Sequence, residues 1–295
     1  MTNPLALPGP EFLLFYAFVA AIVLLALWVV RGAAEGGPIP RVDTSDPFLI
    51  ADLRGGPDEA VRVATVSLID RGLLVIDEQE RTLQTKSGAH PMRPIEQALQ
   101  RRFEAARPAT DIFSDFELRV ACLPYEDSLT RLGLLADGET QRARYRRLAL
   151  AMAILTVLAG AKIVYALEHG RTNVIVLGVL AVLACIAAYA ISTVRRTARG
   201  DALLADLRRL FGRLHGRAAS LRPGGATADA ALLAAVFGLG ALPASGFGFV
   251  RRLYPRRPES SSGSWWSSSC GSSCGSSCGG GGGGGCGGCG GGGGD

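Results

Sequence analysis

Lysine and histidine are scarce in this sequence. Only Lys86 and Lys162 are lysines among its 31 basic side chains, so arginine supplies nearly all of the positive charge. Abundant Arg, Ala and Gly with so little Lys indicates GC-rich coding and has no mechanistic meaning. The formal net charge is +5 over 295 residues. Membrane proteins with cytoplasmic loops carry such an excess, so the charge does not favour nucleic acid as a partner.

Motifs of the common enzyme classes are missing as well. The sequence has no P-loop, no Rossmann glycine pattern, no H-E-x-x-H and no G-x-S-x-G. Its three histidines, His90, His169 and His215, form no cluster with cysteines or carboxylates along the chain. We therefore expect a protein that is not an enzyme, with no catalytic residue and no cofactor-binding residue.

Long apolar runs, by contrast, are prominent. Residues 12–30, 148–167 and 174–191 are each long and apolar enough for a helix that crosses a 30 Å hydrocarbon core, which takes about 20 residues. The first run is not expected to be a cleaved signal peptide. The eleven residues before it contain no Lys or Arg, and no A-x-A cleavage site follows closely.

Arginine placement predicts the orientation of these three spans. Arg31 follows span one. Span two is preceded by Arg142, Arg144, Arg146 and Arg147, and span three is followed by Arg195, Arg196 and Arg199. The positive-inside rule then places the N-terminus outside and residues 31–147 and 193–295 in the cytoplasm. We expect a protein of the bacterial inner membrane whose first partner is the lipid bilayer.

Lys162 is a charge inside the second span. An intramembrane charge is by default a hypothesis of function. We favour the simpler interpretation, in which its long stem carries the ammonium group to the headgroups near Glu168.

Residues 46–147 are expected to form a cytoplasmic helical domain after a linker at 31–45. Asp46 with Pro47 predicts one helix start, and Pro57 followed by Asp58 and Glu59 predicts another. Arg71 and Gly72 are expected to end the second helix, and a β-hairpin should occupy residues 73–86. Three later segments, 95–106, 111–122 and 126–135, have helical periodicity.

The order helix, helix, hairpin is winged-helix-like and raises the question of DNA binding. The helix at 57–71 offers only Arg62 and Arg71 as basic residues, against three acidic ones. That is too little for base reading and phosphate contact, so nucleic acid is not expected to bind. A structural or protein-binding use is preferred. The pattern L-x-x-x-G-L-L occurs at both Leu68 and Leu129, through duplication or coincidence.

Two helices are expected between residues 195 and 250. Residues 201–217 form a basic amphipathic helix, which can lie on the bilayer or pack against the domain. Residues 229–242 predict a short apolar helix followed by a loop. A fourth span is the alternative, and the arginines after residue 250 weigh against it.

The C-terminal residues, 259–295, are almost entirely Gly, Ser and Cys. Such a composition cannot form a packed core, so disorder is expected. Five cysteines could act as metal ligands, for zinc above all, because four thiolates suit a tetrahedral site: Cys270, Cys274, Cys278, Cys286 and Cys289. Three interpretations of the tail remain open: a flexible tail without a site, a metal-binding or thiol-reactive tail, and a substrate for modification.

These features together resemble an uncharacterised bacterial family of membrane proteins. The resemblance rests on L-R-G-G at Leu53–Gly56, R-G-L-L at Arg71–Leu74, the hairpin of spans and the Gly/Cys tail. It implies one N-terminal span, a cytoplasmic LRGG-containing domain, a two-span hairpin and a low-complexity tail rich in Gly and Cys, and no activity.

The sequence therefore predicts a mainly α membrane protein. It should have three transmembrane helices, a small α+β (winged-helix-like) cytoplasmic domain and a disordered C-terminal tail. Two functions follow as hypotheses: a membrane-anchored scaffold that binds an unknown protein partner, and a metal or thiol sensor that uses the tail cysteines.

Overall fold

The structure, a computed structural model, describes residues 9–77, 82–86, 93–168, 175–217 and 229–254. The expected turn at 78–81, His90, His169 and the tail at 259–295 with its five cysteines lie outside these residues. The described chain is mostly helical. Its helices are α1 (Gly9–Glu35), α2 (Pro47–Gly55), α3 (Pro57–Asp70), α4 (Pro94–Arg102), α5 (Phe116–Arg131), α6 (Gly138–Glu168), α7 (Ile175–Ser192), α8 (Ala198–Leu210), α9 (Gly212–Gly216), α10 (Asp229–Phe237) and α11 (Ala244–Leu253).

A small antiparallel sheet accompanies the helices. Its strands are β1 (Leu74–Asp77), β2 (Thr82–Thr85) and β3 (Arg107–Pro108), in the order β1-β2-β3. The first two pair with Leu74 opposite Thr85 and Asp77 opposite Thr82, within the segment where a hairpin is predicted. The third strand was not predicted, because two residues are too few to show a periodicity of two.

Within the described residues, three helices are long and apolar enough to cross a membrane: α1, α6 and α7. Helices α1 and α6 contain the runs predicted at 12–30 and 148–167, and α7 covers the described part, 175–191, of the third. Helix α6 is longer than its apolar run. It begins at Gly138, so ten residues, most of them polar or charged, precede Leu148. Ten helical residues extend about 15 Å, so α6 continues well beyond its apolar part.

Local sequence signals fix the helix starts of the domain. The Asp46 carboxylate accepts a hydrogen bond from the backbone N–H of Phe48 at 2.9 Å, and α2 begins at Pro47 as predicted. Proline at position 57 begins α3, with Asp58 and Glu59 in its first turn. Acidic groups there interact favourably with the positive end of the helix dipole.

The two L-x-x-x-G-L-L segments have the same local structure. Gly72 (φ +69°) and Gly133 (φ +68°) each follow the last turn of a helix in the left-handed region. The next N–H then reaches back to a carbonyl: Leu73 to Leu68, and Leu134 to Leu129, both at 2.9 Å. Both are therefore Schellman caps, which explains why the same pattern occurs at two helix ends.

Helix α5 joins two segments that were predicted separately. It is capped by the Asp115 carboxylate and runs through Pro124 to Arg131. The segment before it is a short 3₁₀ helix at Ala109–Phe113, and α4 ends at Arg102, earlier than its predicted end.

Two distant stretches of chain build one domain core. Residues of α2, α3, α4 and α5 pack with residues of α8, α10 and α11 in a single buried cluster, and the α6–α7 hairpin is inserted between the two stretches. Helix α10 packs against α2 and α3 and buries Leu233, Ala234 and Val236 completely. Its nine residues are part of the domain core, so the alternative of a fourth span is not what the structure shows. The expected loop after 242 is wrong, since α11 occupies 244–253.

The amphipathic helix also belongs to the domain. Leu203 and Leu207 of α8 are buried in the same cluster, so its apolar face packs against the domain rather than on a bilayer. Leu210, at the end of α8, stays exposed. The hydrophobic periodicity alone could not decide between these alternatives.

The membrane helices form a second, separate cluster. Phe12, Tyr16, Leu155 and Leu177 are buried in it, and the Tyr16 hydroxyl donates to the carbonyl of Leu155 at 3.2 Å. Lys162 is only 7% exposed, and its Nζ lies 4.6 Å from the centre of the Phe12 ring. Its ammonium is thus placed against aromatic rings of the bundle, a cation–π arrangement, beside Phe12 and Tyr165.

Candidate functional site

The three membrane helices meet the domain in a cluster of charged side chains, here called the junction. It consists of Arg31, Glu35, Asp52, Glu126, Arg144, Arg195, Arg196 and Asp201. These residues come from α1, α2, α5, α6, α8 and the segment after α7. The junction therefore joins every membrane helix to the domain core.

The centre of the junction is the buried ion pair of Arg144 with Glu35. Nε and Nη2 of Arg144 each donate to one carboxylate oxygen of Glu35 at 2.6 Å, and both side chains are buried. Arg144 also donates to the carbonyls of Val194 and Arg196, just after α7. A two-pronged guanidinium–carboxylate contact is strong and directional. One arginine thus fixes the ends of all three membrane helices relative to one another.

Asp201 holds the start of α8 against α1. Its two carboxylate oxygens accept from Arg31 and Arg196, each at 2.8 Å. Arg196 in turn donates to the carbonyl of Arg54 at the end of α2, also at 2.8 Å. The membrane helix α1 and the domain helix α2 are linked through these two arginines.

Asp52 is the most unusual acid of the junction. It is fully buried, and neither carboxylate oxygen accepts a hydrogen bond from a residue in the described ranges. Nη2 of Arg195 is 3.5 Å from Oδ1 and is also 2.5 Å from Glu126. Burial raises the pKa of Asp52 to about 6, and the Arg195 charge only partly offsets it. With this pKa, the carboxyl group stays largely protonated up to about pH 6.

A short backbone pairing completes the junction. Leu135, after the second Schellman cap, forms a β-bridge with Arg196, and the N–H of Thr197 donates to the carbonyl of Leu134 at 3.0 Å. Gly200 packs so closely that a Cβ would lie 2.4 Å from the carbonyl oxygen of Leu134. A side chain at this position would have to displace backbone.

The junction has the features of a rigid connection and few of a catalytic centre. Cys122, on α5 close to Asp52, is buried, and burial together with the Asp52 charge raises the pKa of its thiol to about 12. A thiol with such a pKa is not ionised at neutral pH and is inert. Among the residues that the structure describes, no group of three His, Cys, Asp or Glu side chains could hold a metal ion.

An apolar face of α5 is exposed to solvent. Phe116 is 78% exposed, Val120 44% and Leu123 52%. Their spacing of four and three residues puts them on one side of the helix, while Leu118, Cys122 and Leu129 of the same helix are buried. We call the three exposed side chains the α5 face. It was not predicted from the sequence, although apolar residues on two sides of one helix are a recognisable signal.

The residues proposed as a metal site from the sequence cannot be placed. Cys270, Cys274, Cys278, Cys286 and Cys289 all lie outside the described residues. His215, the one histidine within them, stacks on Phe237 at a ring distance of 4.6 Å. The metal site thus stays a prediction from the sequence.

No family model, no curated protein and no solved structure matches this chain. The functional interpretation of the junction and of the α5 face consequently rests on their own geometry.

Proposed function

We propose that this chain is a membrane-anchored scaffold whose cytoplasmic domain binds a protein partner through the α5 face. The observation that carries the proposal is the exposure of Phe116, Val120 and Leu123 on a helix whose opposite side is domain core. Scattered exposed apolar residues need no explanation, but an aligned ridge of them on one helix marks a contact surface.

The shape and charge of the α5 face favour an amphipathic helix of the partner. Side chains at i, i+4 and i+7 form a ridge that fits between the ridges of a second helix. Two exposed side chains of opposite charge border the ridge: Arg119 lies beside it, and Asp127, four residues after Leu123, lies at its end. A partner helix with an apolar stripe flanked by both charge signs would complement this surface.

Rigid anchoring supports the same proposal. The junction ties the domain to α1, α6 and α7 through buried and half-buried ion pairs. A domain held in this way would present the α5 face in a fixed orientation to the membrane. A recruited partner would then be held in a defined place, which is what a scaffold requires.

Photo-crosslinking from within the α5 face tests the proposal. A photoreactive amino acid at position 120 should give one discrete cross-linked product, which Phe116→Asp abolishes. Photoreactive residues at Ser128 on α5 and at Arg209 on α8 are the controls, since both are exposed outside the ridge. All four substituted positions are exposed, so thermal unfolding should be unchanged.

The identity of the product decides the result. A heterologous protein that copurifies with the wild type and is lost with Phe116→Asp supports the proposal. A product with the mass of two chains would make the face a homodimer interface and overturn it. A lipid product, or labelling equal to the controls, would overturn it as well.

The proposed orientation has its own test. With the N-terminus outside, a cysteine introduced as Asn3→Cys should react with an impermeant maleimide in intact cells. The natural tail cysteines, Cys270 to Cys289, should react only after lysis. Labelling of the tail in intact cells would contradict the cytoplasmic placement that the arginine distribution predicts.

A second proposed function, a metal or thiol sensor, rests on the cysteine cluster of residues 270–289. Four thiolates of such a cluster can bind zinc, and a structural zinc site can contribute on the order of 10 kcal/mol to folding. Zinc and iron content of the purified protein, with and without residues 259–295, separates this function from the scaffold. A metal stoichiometry near zero in the full chain would exclude zinc and iron sensing.

A further inference from the structure

A groove runs between α1 and α6 where the two helices approach the junction. Its volume is about 220 Å³. The small side chains of Ala26 and Ala151 leave this space open. Larger apolar side chains form its walls and one arginine closes its end: Val23, Leu27, Val30, Leu150, Ile154 and Arg147. The groove therefore has an apolar length and one charged end.

A polar pocket of about 560 Å³ adjoins the groove at Arg147. Arg147 lines both spaces, and Arg142 and Arg146 are the other basic residues of the pocket. Two acids also line it, Glu35 and Glu139. Glu35 is bound by Arg144, as described above.

The three pocket arginines are available to a ligand. Arg142 and Arg146 are exposed, and Arg147 is half-buried. None of them forms an ion pair with any residue in the part of the chain that the structure describes. The pocket thus offers three guanidinium groups against the single carboxylate of Glu139.

Aromatic side chains mark this level of the bundle as a membrane interface. Trp28 on α1, Tyr145 on α6 and Tyr189 on α7 are all largely exposed. Each is near the end of an apolar run, where Trp and Tyr rings favour the boundary between headgroups and acyl chains. The groove lies on the apolar side of this boundary and the arginine pocket on its polar side.

We propose that the groove and the pocket form one binding site for an anionic phospholipid. An acyl chain lies along Leu27 and Ile154, and the phosphate binds at Arg147 with Arg142 and Arg146 beside it. Guanidinium groups bind phosphate oxygens in pairs, and basic pockets between membrane helices bind anionic headgroups. The charge of the pocket favours an anionic lipid over a zwitterionic one.

The site requires insertion of α1 and α6 into the membrane, and it does not involve the α5 face. The phospholipid site and the proposed partner binding can therefore fail independently. In the proposed orientation the lipid belongs to the cytoplasmic leaflet, because the groove is at the end of α1 that contains Arg31.

Competition between two lipids tests the site. The full chain, purified in detergent, is incubated with equimolar phosphatidylglycerol and phosphatidylcholine, and bound lipid is counted by native mass spectrometry. The wild type should retain one phosphatidylglycerol in preference. Arg147→Gln should reduce that preference about fivefold, the factor that corresponds to the loss of one arginine near a charged membrane surface.

Variants that fill the groove separate this site from general electrostatic attraction. Ala26→Trp, and Leu150→Trp from the opposite wall, should abolish the retained lipid although all arginines are present. Ala21→Trp is the matched control on α1, since Ala21 is exposed and does not line the groove. Arg131→Gln, an exposed arginine on α5, is the charge control.

The measurement has two outcomes that would overturn the proposal. One is equal retention of the two lipids by the wild type. The other is a preference for phosphatidylglycerol that survives both groove-filling variants, because the arginines alone would then explain it. Circular dichroism melts of all five variants show whether the folded bundle is present in each sample.

Discussion

The carboxyl group of Asp52 links the protonation of one residue to the stability of the domain. Burial raises its pKa to about 6 in the folded chain, whereas an unfolded aspartate titrates near its ordinary value of 3.8. The folded state therefore binds this proton more tightly, and the free energy of unfolding should fall as pH rises from about 4 to 6. Above pH 6 the full cost, of order 2–3 kcal/mol, is present.

Asp52→Asn should remove that pH dependence. The variant should be at least as stable as the wild type at pH 7 and should lose the decrease between pH 4 and 6. Melting temperatures measured from pH 4 to 8 check this expectation. Asp127→Asn, at an exposed position on α5, is the control and should keep the wild-type slope. A wild-type slope in the Asp52→Asn variant would show that another group is responsible.

The Glu35–Arg144 pair makes a second prediction at the residue scale. Removing one partner of a buried ion pair leaves the other charge buried and uncompensated, which typically costs 3–5 kcal/mol. Glu35→Gln should therefore lower the free energy of unfolding by about 3 kcal/mol. Arg131→Gln, whose partner Asp127 is equally exposed, should change it by about 0.5 kcal/mol or less. Chemical unfolding in detergent micelles measures both, and equal effects would contradict the central role of Glu35.

At the scale of single elements, each Schellman cap needs a glycine because of its backbone conformation. Gly72 has φ +69°, and a Cβ there would meet nothing within 4 Å. Gly72→Val should therefore destabilise the domain by about 2 kcal/mol through backbone strain, because a β-branched residue resists this conformation. Gly72→Asn should restore much of the loss, since Asn tolerates the left-handed region.

A glycine without positive φ provides the control for that prediction. Gly138 also has open space around it and begins α6 in an ordinary helical conformation. Gly138→Val should thus change the melting temperature little. A Gly72→Val domain that melts at the wild-type temperature would refute the role of Gly72 as a cap.

Local signals predicted the element starts and missed what those elements pack against. Asp46, Pro47 and Pro57 act within one turn of chain, so their effect can be read from the sequence. Arg144 and Glu35 are 109 positions apart, and no local pattern pairs them. Helix α10 is apolar on all sides, which suits a membrane segment and a buried domain helix equally. An apolar ridge such as the α5 face could have been predicted, because the spacing of its residues is visible within one short segment of sequence.

At the scale of the whole molecule, the domain is interrupted by the membrane hairpin α6–α7. The chain leaves the domain after Leu135 and forms α6 and α7. It then returns to complete the domain core with α8, α10 and α11. The junction lies near the start of α6 and the end of α7, where the chain leaves and re-enters the domain. The first part of the domain alone lacks the side chains that fill its centre, because Leu233 and Val236 lie against α2 and α3.

Truncation from the C-terminus should expose this dependence on α10. A chain that ends at Tyr254 keeps the whole core and should unfold as cooperatively as the full chain. A chain that ends at Arg217 loses α10 and α11, and the burial of each large apolar side chain is worth about 1.5–3 kcal/mol. Loss of several such side chains matches the entire 5–15 kcal/mol stability of a typical domain. Limited proteolysis of residues 47–135 should therefore be slow in the first chain and fast in the second.

A single substitution tests the same point without removing any backbone. Leu233→Ala should lower the free energy of unfolding by about 2–5 kcal/mol, because Leu233 is fully buried in the domain core. Its neighbour Leu232 is only half-buried and provides the matched control, with a smaller expected loss. If α10 instead entered the membrane, Leu233→Ala would leave the protection of residues 47–135 unchanged. Denaturant unfolding followed by proteolysis of that segment distinguishes the two, since only a helix within the core can stabilise α2 and α3.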